Sequence, residues 1–259
     1  MNKRLIVLIS LFAFIVLIIV LSSTVFSLST VQVNFLSTTN YLENESDIIS
    51  SANFAYGESI FFIDREAYTN ELEQNNPYIK VVSIEIVFPN RLIIHAVERN
   101  EMYAFKLSDN TYAITDDELK VLSIKPVFVN TTENAILVTS NISIPANSVL
   151  EGALLPLNAT DSKFLTDFSY YSQEWDNHLA SLRGNIKELV LHYEENDTFK
   201  VLMRQGVEII ITKQHTKLNE KIQTAYSVYD TPTIDRTRGI ILVIEEQDGD
   251  VVALYDDGE

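Results

Sequence analysis

The pattern of apolar and polar positions divides the chain before any motif is sought. Leu5 to Leu21 is apolar apart from Ser10, and a weakly polar extension runs on to Leu28. As a helix, the shorter run spans ~25 Å and the longer one ~36 Å. A bilayer's hydrocarbon core is roughly 30 Å thick, so the pattern predicts a single membrane-crossing helix. Lys3 and Arg4 precede the run, and the first charge after it is Glu43. Basic residues stay on the cytoplasmic side, which predicts a short cytoplasmic start (1–4), a transmembrane helix (5–28) and a large extracytoplasmic remainder. A cleaved signal peptide is the competing reading, because Ser22, Ser23 and Thr24 are small. The apolar run exceeds the roughly 7–15 residues of a signal core, which favours an uncleaved anchor.

Beyond the helix, Val31, Val33 and Phe35 alternate with polar residues and predict a strand. Asn44 or Ser46 can cap a short helix carrying Ile48, Ile49 and Ala52. Gly57 breaks the chain before the apolar cluster Ile60 to Ile63. Asp64 caps a second helix, Arg65 to Gln74, which Asn75, Asn76 and Pro77 stop. Two strands follow around a turn at Pro89-Asn90. Val82, Ile84, Ile86 and Phe88 are expected on one face of the first, and Leu92, Ile94 and Ala96 on one face of the second. The resulting β-α-α-β-β order predicts a small sheet with two helices on one face.

The remainder reads as a second unit. Tyr112 to Ile114 and Val121 to Ile124 predict strands around the acidic turn Asp116-Asp117-Glu118. Pro126 to Leu157 reads as irregular strand and loop. Phe164, Phe168, Tyr171, Trp175 and Leu179 recur at helical spacing, a stripe that belongs to a core rather than to a ligand cage. Strands are expected at Ile186 to Tyr193, Thr198 to Met203 and Val207 to Thr212, then a helix from Thr216 to Tyr229. The last two strands, Ile240 to Ile244 and Val251 to Tyr255, flank the turn signal Asp248-Gly249. The expected class is α+β: the membrane helix, a βααββ domain at 29–100, and a mixed sheet-and-helix domain at 101–259.

Composition then removes whole classes of function. The formal net charge is −17, and setting aside Lys3 and Arg4 leaves −19. Such a chain repels phosphate backbones, so no nucleic-acid partner is expected. With no cysteine there is no disulfide, thiolate nucleophile or zinc-thiolate site. The histidines, His95, His178, His192 and His215, show no metal-binding spacing, and a satisfied or solvent-facing role is expected of His95 and His192. Gly57-Glu58-Ser59 begins like a nucleophile elbow, but Phe61 replaces the second glycine. Glu245, Glu246, Asp248 and Asp250 lack the ligand spacing of a calcium loop and read as a solvated turn. The expectation is a non-enzyme with no cofactor, no metal and no small-molecule substrate.

The residues Gly57-Glu58-Ser59-Ile60-Phe61-Phe62-Ile63-Asp64, Asn76-Pro77-Tyr78-Ile79, Val87-Phe88-Pro89-Asn90-Arg91-Leu92 and Val97-Glu98-Arg99 occur in the order and at about the intervals of a known pattern. They resemble the POTRA domain of the FtsQ/DivIB family. Tyr112 to Asp116, Gln205 to Ile211 and Lys217-Leu218 are more faintly similar to that family's second, β domain. Two features depart from it: Asp116-Asp117-Glu118 stands where the family usually has a glycine turn, and Gly239-Ile240-Ile241 lacks the usual aspartate. The resemblance implies a non-catalytic scaffold at the division septum. It would bind DivIC/FtsB-like and FtsL-like bitopic partners and help to regulate septal peptidoglycan synthesis. A membrane-tethered cell-wall hydrolase and a POTRA-type export adaptor are the alternatives.

The terminal hairpin is the expected docking site, because no later segment is available to pair with its outer strand and an unpaired edge accepts a partner strand. Val251, Val252, Leu254 and Tyr255 would form that edge beside Ile240, Leu242 and Ile244. Glu245, Glu246, Asp248, Asp256, Asp257 and Glu259 would discourage self-pairing and select a basic partner segment. A proline at Val252 is expected to remove one docking donor while changing little else.

Overall fold

A computed structural model describes residues 3–36, 44–129, 135–140, 143–176, 184–193, 197–213 and 215–258. The chain forms two compact units, Met1–Arg99 and Asn100–Glu259.

The first unit opens with helix α1, Lys3–Thr24. Side chains of α1 are described for residues 7–20, and all of these are exposed. That stretch is ~21 Å of helix. Among the described residues, no helix is long and apolar enough to cross a membrane. Strand β1 (Thr30–Phe35), helix α2 (Glu45–Ser50), a single 3₁₀ turn (Ile60–Phe62), helix α3 (Arg65–Asn75) and strands β2 (Ile79–Val87) and β3 (Arg91–Glu98) follow. This is the β-α-α-β-β order expected. Asp64 caps α3 by accepting the Ala67 N–H at 3.0 Å. Asn44 flanks α2 without a side-chain bond to the helix backbone.

The small sheet runs β1-β3-β2, with β1 parallel and β2 antiparallel to β3. Leu92, Ile94 and Ala96 face the core as expected, opposite Ile48, Ile60 and Leu72 from the helical side. The face of β2 needs correction. The register shifts between Val81 and Ser83, so Val82 bulges outward and is exposed, as is Phe88. A bulge inserts one residue and switches which alternate side chains point in. The inward set is Ile79, Val81 and Ile84, with Ile86 half-buried.

The second unit is a nine-stranded sheet in the order β12-β11-β10-β9-β8-β7-β4-β5-β6. Its strands are β4 (Tyr103–Lys106), β5 (Tyr112–Thr115), β6 (Val121–Lys125), β7 (Ile136–Thr139), β8 (Ile186–Val190), β9 (Thr198–Met203), β10 (Glu208–Thr212), β11 (Ile240–Glu245) and β12 (Val251–Asp256). Strand β4 is not anticipated, and the irregular strand expected within Pro126 to Leu157 is β7. Strand β7 lies parallel between β4 and β8 near the middle of the sheet. Strand β8 stops at Val190, short of the expected Tyr193, and His192 adopts φ 55°.

Helices α4 (Ala159–Asp176) and α5 (Leu218–Tyr229) supply the rest of the core. Phe164 and Phe168 of α4 pack on Phe199 of β9 with ring centroids 4.6 and 5.8 Å away. The Tyr103 hydroxyl donates to the Leu165 carbonyl at 2.9 Å, and burial raises its pKa well above the usual phenol value. Leu179 and His178 lie outside the described residues, as does the side chain of Trp175. Helix α5 carries the chain from β10 to its parallel neighbour β11, burying Leu218, Ile222, Ala225 and Tyr226.

Candidate functional site

The terminal hairpin forms one end of the large sheet. Strands β11 and β12 pair antiparallel from Ile240↔Asp256 to Glu245↔Val251. Its loop closes through Glu246 N–H to the Asp250 carbonyl (2.8 Å) and Gly249 N–H to the Glu246 carbonyl (3.0 Å). Gly249 takes φ 93° in this turn. On the other side β11 runs parallel to β10, where Glu208 N–H donates to the Gly239 carbonyl at 3.0 Å.

These bonds fix which backbone groups face outward. With Gly239 bonded to β10, the parallel ladder continues through Ile241 and Val243, so Ile240, Leu242 and Ile244 turn their backbone groups to β12. Their partners there are Asp256, Leu254 and Val252. By the same alternation, Val251, Ala253 and Tyr255 point their N–H and C=O groups away from the sheet. No described residue bonds to them.

The other three sheet edges are covered. At β1, the Val33 N–H donates to the Glu45 carboxylate at 2.8 Å. At β2, the Val81 N–H donates to the Glu73 carboxylate at 2.9 Å. At β6, the Ile124 N–H donates to Glu151 at 2.8 Å, while Val121 exchanges 2.8 Å bonds with Ala153 and Gly152. Among the described residues, β12 alone lacks such cover.

The seven expected site residues are all on the hairpin, but on two faces. Ile240, Leu242, Ile244, Val252 and Leu254 share the face away from α5, where Ile240 is 41 % and Leu254 58 % exposed. Val251 and Tyr255 lie on the opposite face, packed with Ala253 against the core. The Tyr255 hydroxyl sits 3.1 Å from both the Asp235 and Arg238 carbonyls. Gly239 makes room for that ring: it has φ 95°, and a Cβ there would lie 2.7 Å from Tyr255 Cε2 and from the Asp256 carbonyl oxygen. Ala253, which the sequence reading passed over, is the central outward-facing backbone unit. The Val252 expectation is corrected too, because its N–H turns toward Ile244 inside the hairpin.

One supposed guard charge has another task. Glu245 accepts from the Thr216 hydroxyl at 2.7 Å and pairs with Lys221 Nζ at 3.4 Å. The Thr216 bond, then the Lys221 charge, hold its carboxyl below the usual range. Lys221 is fully buried and also donates to the Thr212 and Lys213 carbonyls at 3.0 and 2.8 Å. Lys217 Nζ donates to the Gly249 carbonyl. Together these bonds tie both ends of the hairpin loop to the start of α5. Glu259 lies outside the described residues.

The described histidines have partners. His95 is 3.2 Å from Glu85, His192 is 3.1 Å from Asp161, and His215 is 3.7 Å from Asp197. Asp161 borders an apolar cleft with Leu107, Val138, Ile144 and Leu191. Its carboxylate also accepts from Asn158 Nδ2 at 2.7 Å, while Asn158 Oδ1 caps α4 by accepting the Asp161 N–H at 2.8 Å. Among the described residues, no group of His, Asp and Glu is arranged to hold a metal ion.

Comparison with known proteins bears on the first unit. Residues 26–99 match the family model described as the POTRA domain, FtsQ-type. A solved structure of the major extracytoplasmic domain of the trans isomer of the bacterial cell division protein DivIB from Geobacillus stearothermophilus is similar at 13 % identity. The match covers 52 % of this chain and 89 % of that one, with a TM-score of 0.29, too low to carry an argument. No curated protein matches the chain. The matched span is the βααββ unit from Phe26 to Arg99, so the first unit carries a POTRA domain of the FtsQ type.

Proposed function

We propose that the protein is a non-catalytic cell-division scaffold, anchored once in the membrane, that gathers bitopic partners outside it at the septum and helps to regulate septal peptidoglycan synthesis. The observation that carries this reading is the FtsQ-type POTRA domain at residues 26–99. It follows a helix of 22 residues, or ~33 Å of backbone. Lys3 and Arg4 at the start of that helix, with the next basic residue only at Arg65, favour an N-terminus inside and a C-terminus outside.

DivIC/FtsB-like and FtsL-like chains dock on the β12 edge by adding a strand. The outward backbone of Val251, Ala253 and Tyr255 supports affinity, and the exposed Leu254 and Asp256 support selectivity. Co-purification from membranes, with identification of what accompanies the chain, tests the reading. Bitopic division proteins are the expected companions, and a protein that comes out alone or with export machinery refutes it. A purified protein that cleaves peptidoglycan would support the hydrolase alternative instead.

A further inference from the structure

Three phenylalanine rings meet where α1 joins the POTRA domain, and a fourth, Phe62, follows Phe61 in the chain. The Phe26 ring lies 5.3 Å from Phe61 and 6.2 Å from Phe88, and Phe61 lies 5.7 Å from Phe88, centroid to centroid. Phe61 is 54 %, Phe88 61 % and Phe62 87 % exposed. They come from three separate segments: the exit from α1, the 3₁₀ turn and the β2–β3 turn. A water-facing surface of a small domain gains nothing from assembling them.

Their place is fixed by backbone bonds. Ile60 N–H donates to the Phe26 carbonyl at 2.8 Å, Leu28 N–H to the Glu58 carbonyl at 2.8 Å, and Ser29 N–H to the Asn90 carbonyl at 2.9 Å. Ser27 and Ser59 form an isolated bridge between the same segments. Helix α1 ends at Thr24, and two residues of backbone reach at most ~7 Å. The rings therefore sit at the mouth of the helix with no linker between.

We infer that this cluster is a membrane-interface foot: the exposed rings of Phe61, Phe62 and Phe88 insert between lipid headgroups and hold the POTRA domain against the bilayer. The inference rests on the proposed reading of α1 as a membrane anchor. Aromatic rings partition to the boundary between headgroup and acyl chain, and the end of a crossing helix lies there. The attraction is apolar. Residues 25–99 carry ten acidic and four basic side chains, with Glu58 and Asp64 flanking the rings. Anionic lipid is therefore not required, and zwitterionic lipid suffices.

The chain has no cysteine, so single labels can be placed cleanly. The full chain is reconstituted in phosphatidylcholine vesicles as Phe62→Cys, Ile9→Cys or Val82→Cys, each carrying an environment-sensitive fluorophore. Val82 is an exposed control six residues, roughly 20 Å, along the chain from Phe88. Lipid-borne nitroxide should quench the labels at positions 9 and 62, and both should resist aqueous iodide several-fold better than the label at 82. If the label at 62 is as open to iodide as that at 82 while the label at 9 is protected, the foot is refuted and the anchor stands. If the label at 9 is open as well, the anchor fails and the foot fails with it. Protection of position 62 only after other membrane proteins are added also overturns the inference, in favour of a protein partner. Phe61→Ser with Phe88→Ser, both at exposed positions, should lower nitroxide quenching at 62 several-fold and leave the signal at 9 unchanged. An unaltered signal at 62 would count against the cluster.

Discussion

In the POTRA domain, each outer strand has a backbone donor taken by a glutamate from a neighbouring helix, Glu45 at β1 and Glu73 at β2. In the large sheet the β6 end is covered by Glu151 and residues 152–153, whereas the β12 end has no such cover among the described residues. Open edges invite unwanted pairing, and at three of the four an outward donor is occupied while the fourth is bare among the described residues. At both edges of the POTRA sheet an outward donor is capped by a carboxylate. The second unit remains open at the end where its core is already complete.

The largest effect comes from breaking the closed sheet itself. Ile84 is 5 % exposed, so Ile84→Asp would bury an unpaired carboxylate in place of a packed side chain. A loss of ~4 kcal/mol is expected, seen as early melting of the first unit in denaturant. Unchanged stability would mean the inward face of β2 is wrongly assigned.

Removing one guard is milder. Glu73 also pairs with the buried Arg99 at 2.9 Å, so Glu73→Ala removes that ion pair as well as the acceptor of the Val81 N–H. About 2–3 kcal/mol should be lost. The fragment from residue 26 to 99 should also begin to self-associate through β2, as read by sedimentation.

On the open side, Ala253→Pro removes an outward donor without touching the β11 ladder. Partner affinity should fall about tenfold, the equivalent of one lost hydrogen bond, with little change in melting temperature. Val252→Pro breaks the hairpin's own ladder and should lower stability and binding together. Equal behaviour of the two variants would reverse the assignment of outward groups.

The smallest effect is on pH. The folded pKa of Glu245 is depressed from 4.5, so its contribution is complete above 4.5 and fades as pH falls through the folded value. An NMR titration should show Thr216 and Lys221 signals shifting in that lower window. A transition at or above 4.5 would contradict the Thr216 and Lys221 contacts.

The order of elements in the POTRA domain is legible because its boundaries carry chemistry: Asp64 starts α3, and Asn75 to Pro77 ends it. The β2 face is not, because Val81 and Val82 are equally apolar and alternation does not say which yields to the bulge. Strands β4 and β7 are four residues each and gain their place from neighbours distant in sequence. Nothing local marks them as central. The open edge is legible as a location, since the hairpin ends the sheet. Its faces are hidden by the near-continuous apolar run Ile240 to Ile244 and by paired Val251-Val252, which satisfy either orientation.

The alternation along β12 divides what evolution can vary. Val251, Ala253 and Tyr255 send side chains into the core and backbone groups toward the open edge. Changes there alter folding, while a partner strand docked as proposed would read only a main chain that every residue shares. Val252, Leu254 and Asp256 point the other way and are free of the core. Under that proposal partner preference would drift at the even positions without eroding the domain, and related chains should diverge there first while keeping the odd positions within narrow limits of size.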